Sequence, residues 1–305
     1  MSQKHSLPIK KKVLLLPINL MYQIMRYIDR LFLKIFETVK TKKYILEFVD
    51  RPDDIYINSF MRSGTTWMQM ILYQLTTDGE MHFESMYDVS PWFERSLQQN
   101  ESLDHLPSPR FFKTHVKYSL VPKKWQGKFI YVYRNGMDVA VSQYYHYKNV
   151  GYPDITFNHS FNNMFLKKNN NSLVSWFKHM ADWLVNKKKL DILYIKYEDL
   201  SNDLEGSIRK IIKFCDFDVK ESQFPRILER CSFKFMKQHE DKFDLLADEK
   251  QRQKQMQLNQ FFRKGKTKEG EKYFNRNQKK IYLEYFNKYL AKFDLGAYKP
   301  RMKEE

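Results

Sequence analysis

An α/β fold built on a central parallel sheet flanked by helices is predicted by three features of this sequence. From Asp54 onward, short apolar runs of strand length alternate with longer stretches of helical periodicity. Two of those runs end in tight turns that open helices, at Ser59–Trp67 and at Tyr133–Ser142. The chain is 305 residues long and 42% hydrophobic, enough for a substantial core.

Before the alternation begins, residues 1–50 read as a helical extension ending near Arg51-Pro52, with residues 51–305 as the main domain. Lys10, Lys11 and Lys12 precede an uncharged stretch from Val13 to Met25, which Arg26, Asp29 and Arg30 interrupt. The stretch is short against the ~20 residues a bilayer span requires, and no small-residue cleavage site follows it. It reads as an amphipathic helix continuing through Leu31, Phe32, Ile35 and Phe36. Such a helix docks on the protein's own core or lies peripherally on an anionic membrane.

The alternation then places strands at Ile55–Phe60, Arg110–Lys113, Lys128–Tyr133 and Ile192–Ile195. Helices are expected at Trp67–Leu75, Asp138–Tyr147, Leu173–Val185, Ser201–Phe214 and Gln278–Leu290. Between Lys237 and Lys272 the chain is dense in Lys, Gln, Glu and Asp and reads as loop-rich.

The net charge of +17 comes from 53 basic against 36 acidic residues and predicts attraction to anions: nucleic acid, a lipid surface or a phosphorylated small molecule. No RNP1, zinc-finger or KH signature appears, so nucleic acid is not expected as a partner. Cys215 and Cys231 make no disulfide framework, which fits a reducing, cytoplasmic compartment. The eight histidines lack ligand spacing, so no metal is expected.

Ser59-Phe60-Met61-Arg62-Ser63-Gly64-Thr65-Thr66-Trp67 is the most informative segment. A strand ending, a glycine turn and a helix start aim backbone N–H groups and a positive helix end at one spot. The corner is P-loop-like but is not a Walker A loop, which would require Gly at position 59 and Lys at position 65 in place of Ser59 and Thr65. With Arg62 as its cation, the cradle fits a phosphate-bearing nucleotide other than magnesium ATP; an ordinary strand–turn–helix corner is the competing reading. Tyr133–Ser142 repeats the design. Arg134 ends the strand, Asp138 falls in the first helical turn, and Ser142, two turns on, is placed to share a second anion with Arg134. Taken singly, Arg134 reads equally as a structural ion pair and Ser142 as a packing serine.

These segments resemble the cytosolic sulfotransferase family. Arg62–Trp67 is similar to its Lys-Ser-Gly-Thr-Thr-Trp loop and Arg134–Ser142 to its Arg-Asn-x-x-Asp-Val-Ala-Val-Ser segment. Lys113-Thr114-His115, Tyr197-Glu198-Asp199, Cys231-Ser232-Phe233-Lys234-Phe235-Met236 and Arg263-Lys264-Gly265 match in the same order, so the resemblance runs from residue 54 to about 295. It implies sulfuryl transfer from 3′-phosphoadenosine 5′-phosphosulfate (PAPS) to an acceptor hydroxyl by in-line displacement. In that scheme His115 is the general base, and Lys113 and Arg62 stabilise charge. Arg62, Ser63, Gly64, Thr65, Thr66 and Trp67 hold the 5′-phosphosulfate, and Arg134, Ser142, Arg263, Lys264 and Gly265 hold the 3′-phosphate. Tyr197, Cys231, Ser232, Phe233 and Met236 surround the adenine.

This chain departs from the family at Arg62, where a lysine is usual, at Cys231, where a threonine is usual, and over Lys266–Phe274, which lacks the family's tryptophan. The family's dimerisation motif is absent between Met236 and Arg263, so that dimer is not expected. Tyr144, Tyr145, Tyr147 and Trp92 are expected to line an apolar acceptor pocket suited to a hydrophobic alcohol, phenol or lipid. The alternatives are a P-loop-like phosphotransferase and a catalytically silent nucleotide-binding relative.

Overall fold

Five-residue β1 (Ile55–Ser59) is buried at every position, because helices cover both faces of the sheet to which it belongs. In a computed structural model, that sheet has four parallel strands in the order β2-β1-β3-β4, with β2 at Phe111–Thr114, β3 at Lys128–Tyr133 and β4 at Ile192–Lys196. The structure describes residues 20–21, 24–25, 39–149, 152–162, 166, 173–186, 190–243 and 262–302. The chain divides into a unit of residues 1–48 and a unit of residues 49–305.

In the first unit, residues 39–47 form a helix, and the large side chains of Leu20, Met21, Ile24 and Met25 are exposed. Most of the amphipathic extension expected over 1–50 lies outside the described residues, as do positions 244–261 of the expected loop-rich region. No helix among the described residues is long and apolar enough to cross a membrane.

In the second unit, α1 (Thr65–Thr76) follows β1, α2 (Gly136–Asn149) follows β3, and α3 (Leu173–Val185) precedes β4. After β4 come the short helix Tyr197–Asn202, then α4 (Leu204–Cys215), α5 (Phe233–Gln238) and α6 (Arg276–Tyr289). The single helix expected over Ser201–Phe214 is broken at Asp203, whose carboxylate leaves the helix to accept the Gly206 N–H and cap α4. The last helix begins before Gln278 because Asn275 and Gln278 form a reciprocal capping box.

One core cluster joins the sheet to α1 and α4, and a second joins α2, α3 and α6. From β1 the chain crosses to β2 on one side and then to β3 on the other, so the direction of winding reverses between β1 and β3. Ligands in open α/β sheets bind outside the strand ends at such a reversal. Both turns singled out in the sequence lie there, β1 leading into α1 and β3 into α2.

Candidate active site

The turn between β1 and α1 is built on two left-handed residues, Arg62 (φ 66°) and Gly64 (φ 108°). At Arg62 this costs about 1–2 kcal/mol relative to an ordinary backbone. Gly64 admits no other residue, because a β-carbon there would sit 2.8 Å from the Tyr197 ring. Ser59 and Thr65 join hydroxyls at 2.6 Å, clamping the turn across its base. The α1 N-terminus has no acidic residue in its first turn, so its positive end stays uncompensated. The Trp67 indole donates to the Cys231 carbonyl at 2.7 Å and meets the Tyr197 ring edge-on, tying the turn to the segment that precedes α5.

Arg134 leaves β3 directly beside this turn. Its guanidinium lies over the Tyr197 ring, 4.0 Å from the centroid, and donates to the carbonyls of Arg62 (3.4 Å) and Lys266 (3.0 Å). Its Nε and the Ser63 Oγ are buried polar atoms with no hydrogen-bond partner among the described residues. Ser142 is held differently from the sequence expectation: its hydroxyl accepts from Arg62 Nε at 3.2 Å, so the Arg62 side chain reaches across to α2.

A third wall comes from the end of β2. The ammonium of Lys113 donates to the Tyr87 hydroxyl at 2.6 Å, and burial, then repulsion from Arg62, lowers its pKa to about 7. His115 Nδ1 lies 2.8 Å from the Ser59 carbonyl. A carbonyl only accepts, so Nδ1 carries the proton and Nε2 keeps its lone pair. Burial, reinforced by the Lys113 charge, lowers the His115 pKa to about 3. The backbone N–H of His115 donates to Glu94 Oε1 at 2.7 Å, and burial raises that carboxyl above the usual range.

The segment after Phe262 closes the fourth side. Gly265 (φ 62°) lies flat on Phe233, where a β-carbon would approach the ring to 2.7 Å. Buried Asp138 accepts the backbone N–H groups of Lys268 (2.8 Å) and Gly270 (2.7 Å), and so latches this segment to the start of α2. Arg263 pairs with Glu269 at 3.1 Å and crosses the Tyr145 ring at 4.6 Å.

Together these walls enclose a cavity of about 260 Å³ lined by Arg62, Gly64, Thr65, Thr66, Trp67, Lys113, His115, Arg134, Ser142, Tyr197, Phe233, Met236, Arg263, Lys264 and Gly265. Three residues expected at the site lie behind its wall. Ser63 is wholly buried, Cys231 packs into the core beside Trp67, and the Ser232 hydroxyl is used to cap α5 at the Phe235 N–H. Of the expected acceptor residues, only Trp92 lines the cavity. Tyr144 and Tyr147 pack on the second core cluster, and Tyr145 is engaged by Tyr273 and Arg263.

Met61, Tyr87, His146, Phe262 and Lys266 also line the cavity and were not foreseen. His146 had a signal, since it follows Ser142 by one turn on the same helical face. Burial and the charges of Arg62 and Lys113 lower its pKa to about 3. Tyr87 had none, because it reaches the site only through the packing of the short helix Met86–Val89.

Two strand–turn–helix corners carrying cationic side chains meet at the switch point of a parallel sheet, the place where open α/β folds bind their ligands. The model of the sulfotransferase domain family matches residues 52–294. Sulfotransferase 1E1 of Homo sapiens is 33% identical over 239 residues, covering 74% of this chain and 80% of its own length. Amine sulfotransferase of Oryctolagus cuniculus is 32% identical over 214 residues, covering 66% of this chain and 70% of its own length. Among solved structures, mouse sulfotransferase SULT7A1 complexed with PAP superposes with a TM-score of 0.67 at 27% identity, over 85% of this chain and 92% of that one. Retinol dehydratase in complex with androsterone and PAP shares the fold, with a TM-score of 0.68 at 24% identity over 84% of this chain and 86% of that one. The chain belongs to the sulfotransferase domain family and is a PAPS-dependent sulfotransferase.

Proposed function

We propose that this enzyme transfers the sulfuryl group of PAPS to the hydroxyl of a hydrophobic alcohol, phenol or lipid, with His115 Nε2 as general base. The observation that carries this reading is the His115–Ser59 hydrogen bond, which commits Nδ1 and leaves Nε2 as the proton acceptor at a cavity wall shared with Lys113. In the reaction the acceptor oxygen bonds to sulfur as its proton passes to His115, and the bond from sulfur to the 5′-phosphate oxygen breaks. Lys113 neutralises charge on the sulfuryl oxygens. Arg62 and the N-terminus of α1 stabilise the departing phosphate.

The 3′-phosphate belongs to the corner at Arg134, where a buried guanidinium nitrogen without a partner among the described residues suits an anion. Arg263, Lys264 and Gly265 complete that clamp, and Tyr197 and Phe233 frame the base. The acceptor lies against Met61, Tyr87 and Trp92, the largely apolar remainder of the wall.

The direct test is transfer from radiolabelled PAPS to a panel of steroid alcohols, phenols, lipid alcohols and hydrophilic glycans, beside calorimetry with 3′-phosphoadenosine 5′-phosphate (PAP) without magnesium. PAP is expected to bind at about micromolar affinity or tighter, and ATP more weakly. Sulfation of the glycans alone would overturn the acceptor class; equal binding of ATP would overturn the assignment of the 3′-phosphate corner.

The Asp138 latch carries a prediction of its own. Asp138→Asn keeps the side-chain shape but turns an amide N–H toward one of the two backbone donors, loosening the segment that bears Arg263 and Lys264. PAP affinity is expected to fall about tenfold, by calorimetry, through loss of a hydrogen bond to a buried carboxylate.

A further inference from the structure

Lys113 is more tightly constrained than a cation waiting for a substrate needs to be. Its backbone N–H donates to the Pro91 carbonyl at 3.0 Å, and its residue bridges to Trp92 beside the sheet. The residue is 7% exposed, and among the described residues no carboxylate forms an ion pair with it. What Nζ does have is the Tyr87 hydroxyl at 2.6 Å and the ring of Trp92, 4.9 Å from ammonium to centroid. A hydroxyl oxygen turned toward an ammonium and a π-face beside it both favour the charged form.

The other groups acting on Lys113 do not balance its charge. Arg62 from the turn after β1 and Arg95 from the short helix Phe93–Gln98 oppose it; buried Glu94 of the same helix favours it, but its Oε1 is engaged by the His115 N–H. His115, at the end of its own strand, and His146, on α2, are kept neutral chiefly by burial, with the ammonium adding to it and Arg62 doing so at His146.

We propose that Tyr87 is the positioning residue for Lys113: its hydroxyl accepts the Nζ hydrogen bond and, with the Trp92 face, holds the ammonium charged and in place at the wall of the reaction cavity. The inference rests on the reading of Lys113 as the cation that meets the sulfuryl oxygens. It adds a residue from outside every segment on which the family resemblance rests. It also makes the acceptor wall part of the charge-stabilising apparatus, since Tyr87 and Trp92 face both the acceptor space and the lysine.

Tyr87→Phe tests this, because it keeps the ring and removes only the hydroxyl. The primary readout needs no acceptor: the pH titration of the Lys113 Cε resonance by NMR, assigned by its loss in Lys113→Arg. The wild-type midpoint is expected near 7. Loss of the hydrogen-bond acceptor destabilises the charged form, so the midpoint in Tyr87→Phe is expected at lower pH. Trp92→Phe, which weakens the π-face and spares the Tyr87 hydroxyl, is expected to move it the same way by less.

With PAPS and 4-nitrophenol, kcat in Tyr87→Phe is expected to fall about tenfold at pH 8, with PAP affinity unchanged. Lys113 loses its ammonium as pH rises through about 7, so the rate is expected to decline on the alkaline side, and combining Tyr87→Phe with Lys113→Arg, whose charge does not titrate, is expected to abolish that decline. A midpoint unmoved in both Tyr87→Phe and Trp92→Phe overturns the proposal. Full turnover by Lys113→Met would instead overturn the underlying role of Lys113, a separate result.

Discussion

Alanine at His115 is expected to lower turnover by about a thousandfold while leaving PAP affinity unchanged, the loss associated with removing a positioned general base. The expectation follows from the division of labour in the ring. Nδ1 is spent on the Ser59 carbonyl, so Nε2 alone can take the acceptor proton, and no phosphate-cradling group depends on the imidazole. The variant is best read by single-turnover transfer from labelled PAPS beside calorimetric titration with PAP. Turnover above a tenth of wild type would remove His115 from the role of base.

The pH profile follows from the same pair of residues. With a pKa near 3, His115 is neutral and able to accept a proton throughout the neutral range, and it gives rise to no acid limb there. Lys113, lowered to about 7, loses its ammonium as pH rises through neutrality, so kcat/KM is expected to decline on the alkaline side. A bound anionic donor favours the charged lysine, so the limb in kcat should lie at higher pH than the limb in kcat/KM.

Truncating Arg134 is the second large effect. The guanidinium joins three parts of the site at once: the face of Tyr197, the Arg62 carbonyl in the first cradle and the Lys266 carbonyl in the closing segment. Arg134→Ala removes the buried cation at the expected 3′-phosphate site and unties both backbone segments. Loss of two charge-assisted hydrogen bonds to a phosphate corresponds to about a hundredfold or greater weakening of PAP binding. Arg134→Lys keeps the charge but not the planar fork, and is expected to recover only part of the affinity. Calorimetry with PAP against the two variants checks this; a loss below threefold in Arg134→Ala would place the 3′-phosphate elsewhere.

Much of the site was legible because its chemistry is local. The turn from Ser59 to Trp67 is one strand end, one glycine and one helix start, each with its own residue signature, and the Tyr133–Ser142 turn repeats it. Lys113 and His115, alternate residues at the end of a strand, fall on one side of it. The helix expected over Ser201–Phe214 was misjudged for an equally local reason, since periodicity continues across Asp203 and hides the cap. The family resemblance of the whole segment implied Cys231 and Ser232 at the adenine, together with Phe233 and Met236, which do line the cavity. In the fold Cys231 packs into the core and Ser232 spends its hydroxyl on capping α5.

By itself, then, the sequence determined the parallel sheet, the two strand–turn–helix corners and the set of cations and histidine that meet there, because strand length, helix period and turn residues are properties of neighbours along the chain. Only the tertiary structure decided how those groups are used. Arg62 reaches Ser142 across 80 residues, Asp138 latches Lys268 across 130, and Trp67 joins Cys231 across 164. Tyr87, from an otherwise unremarked short helix, takes hold of Lys113. These contacts arise from packing against the sheet ends, where a hydrogen bond is set by distance in space, and no pattern along the chain encodes it.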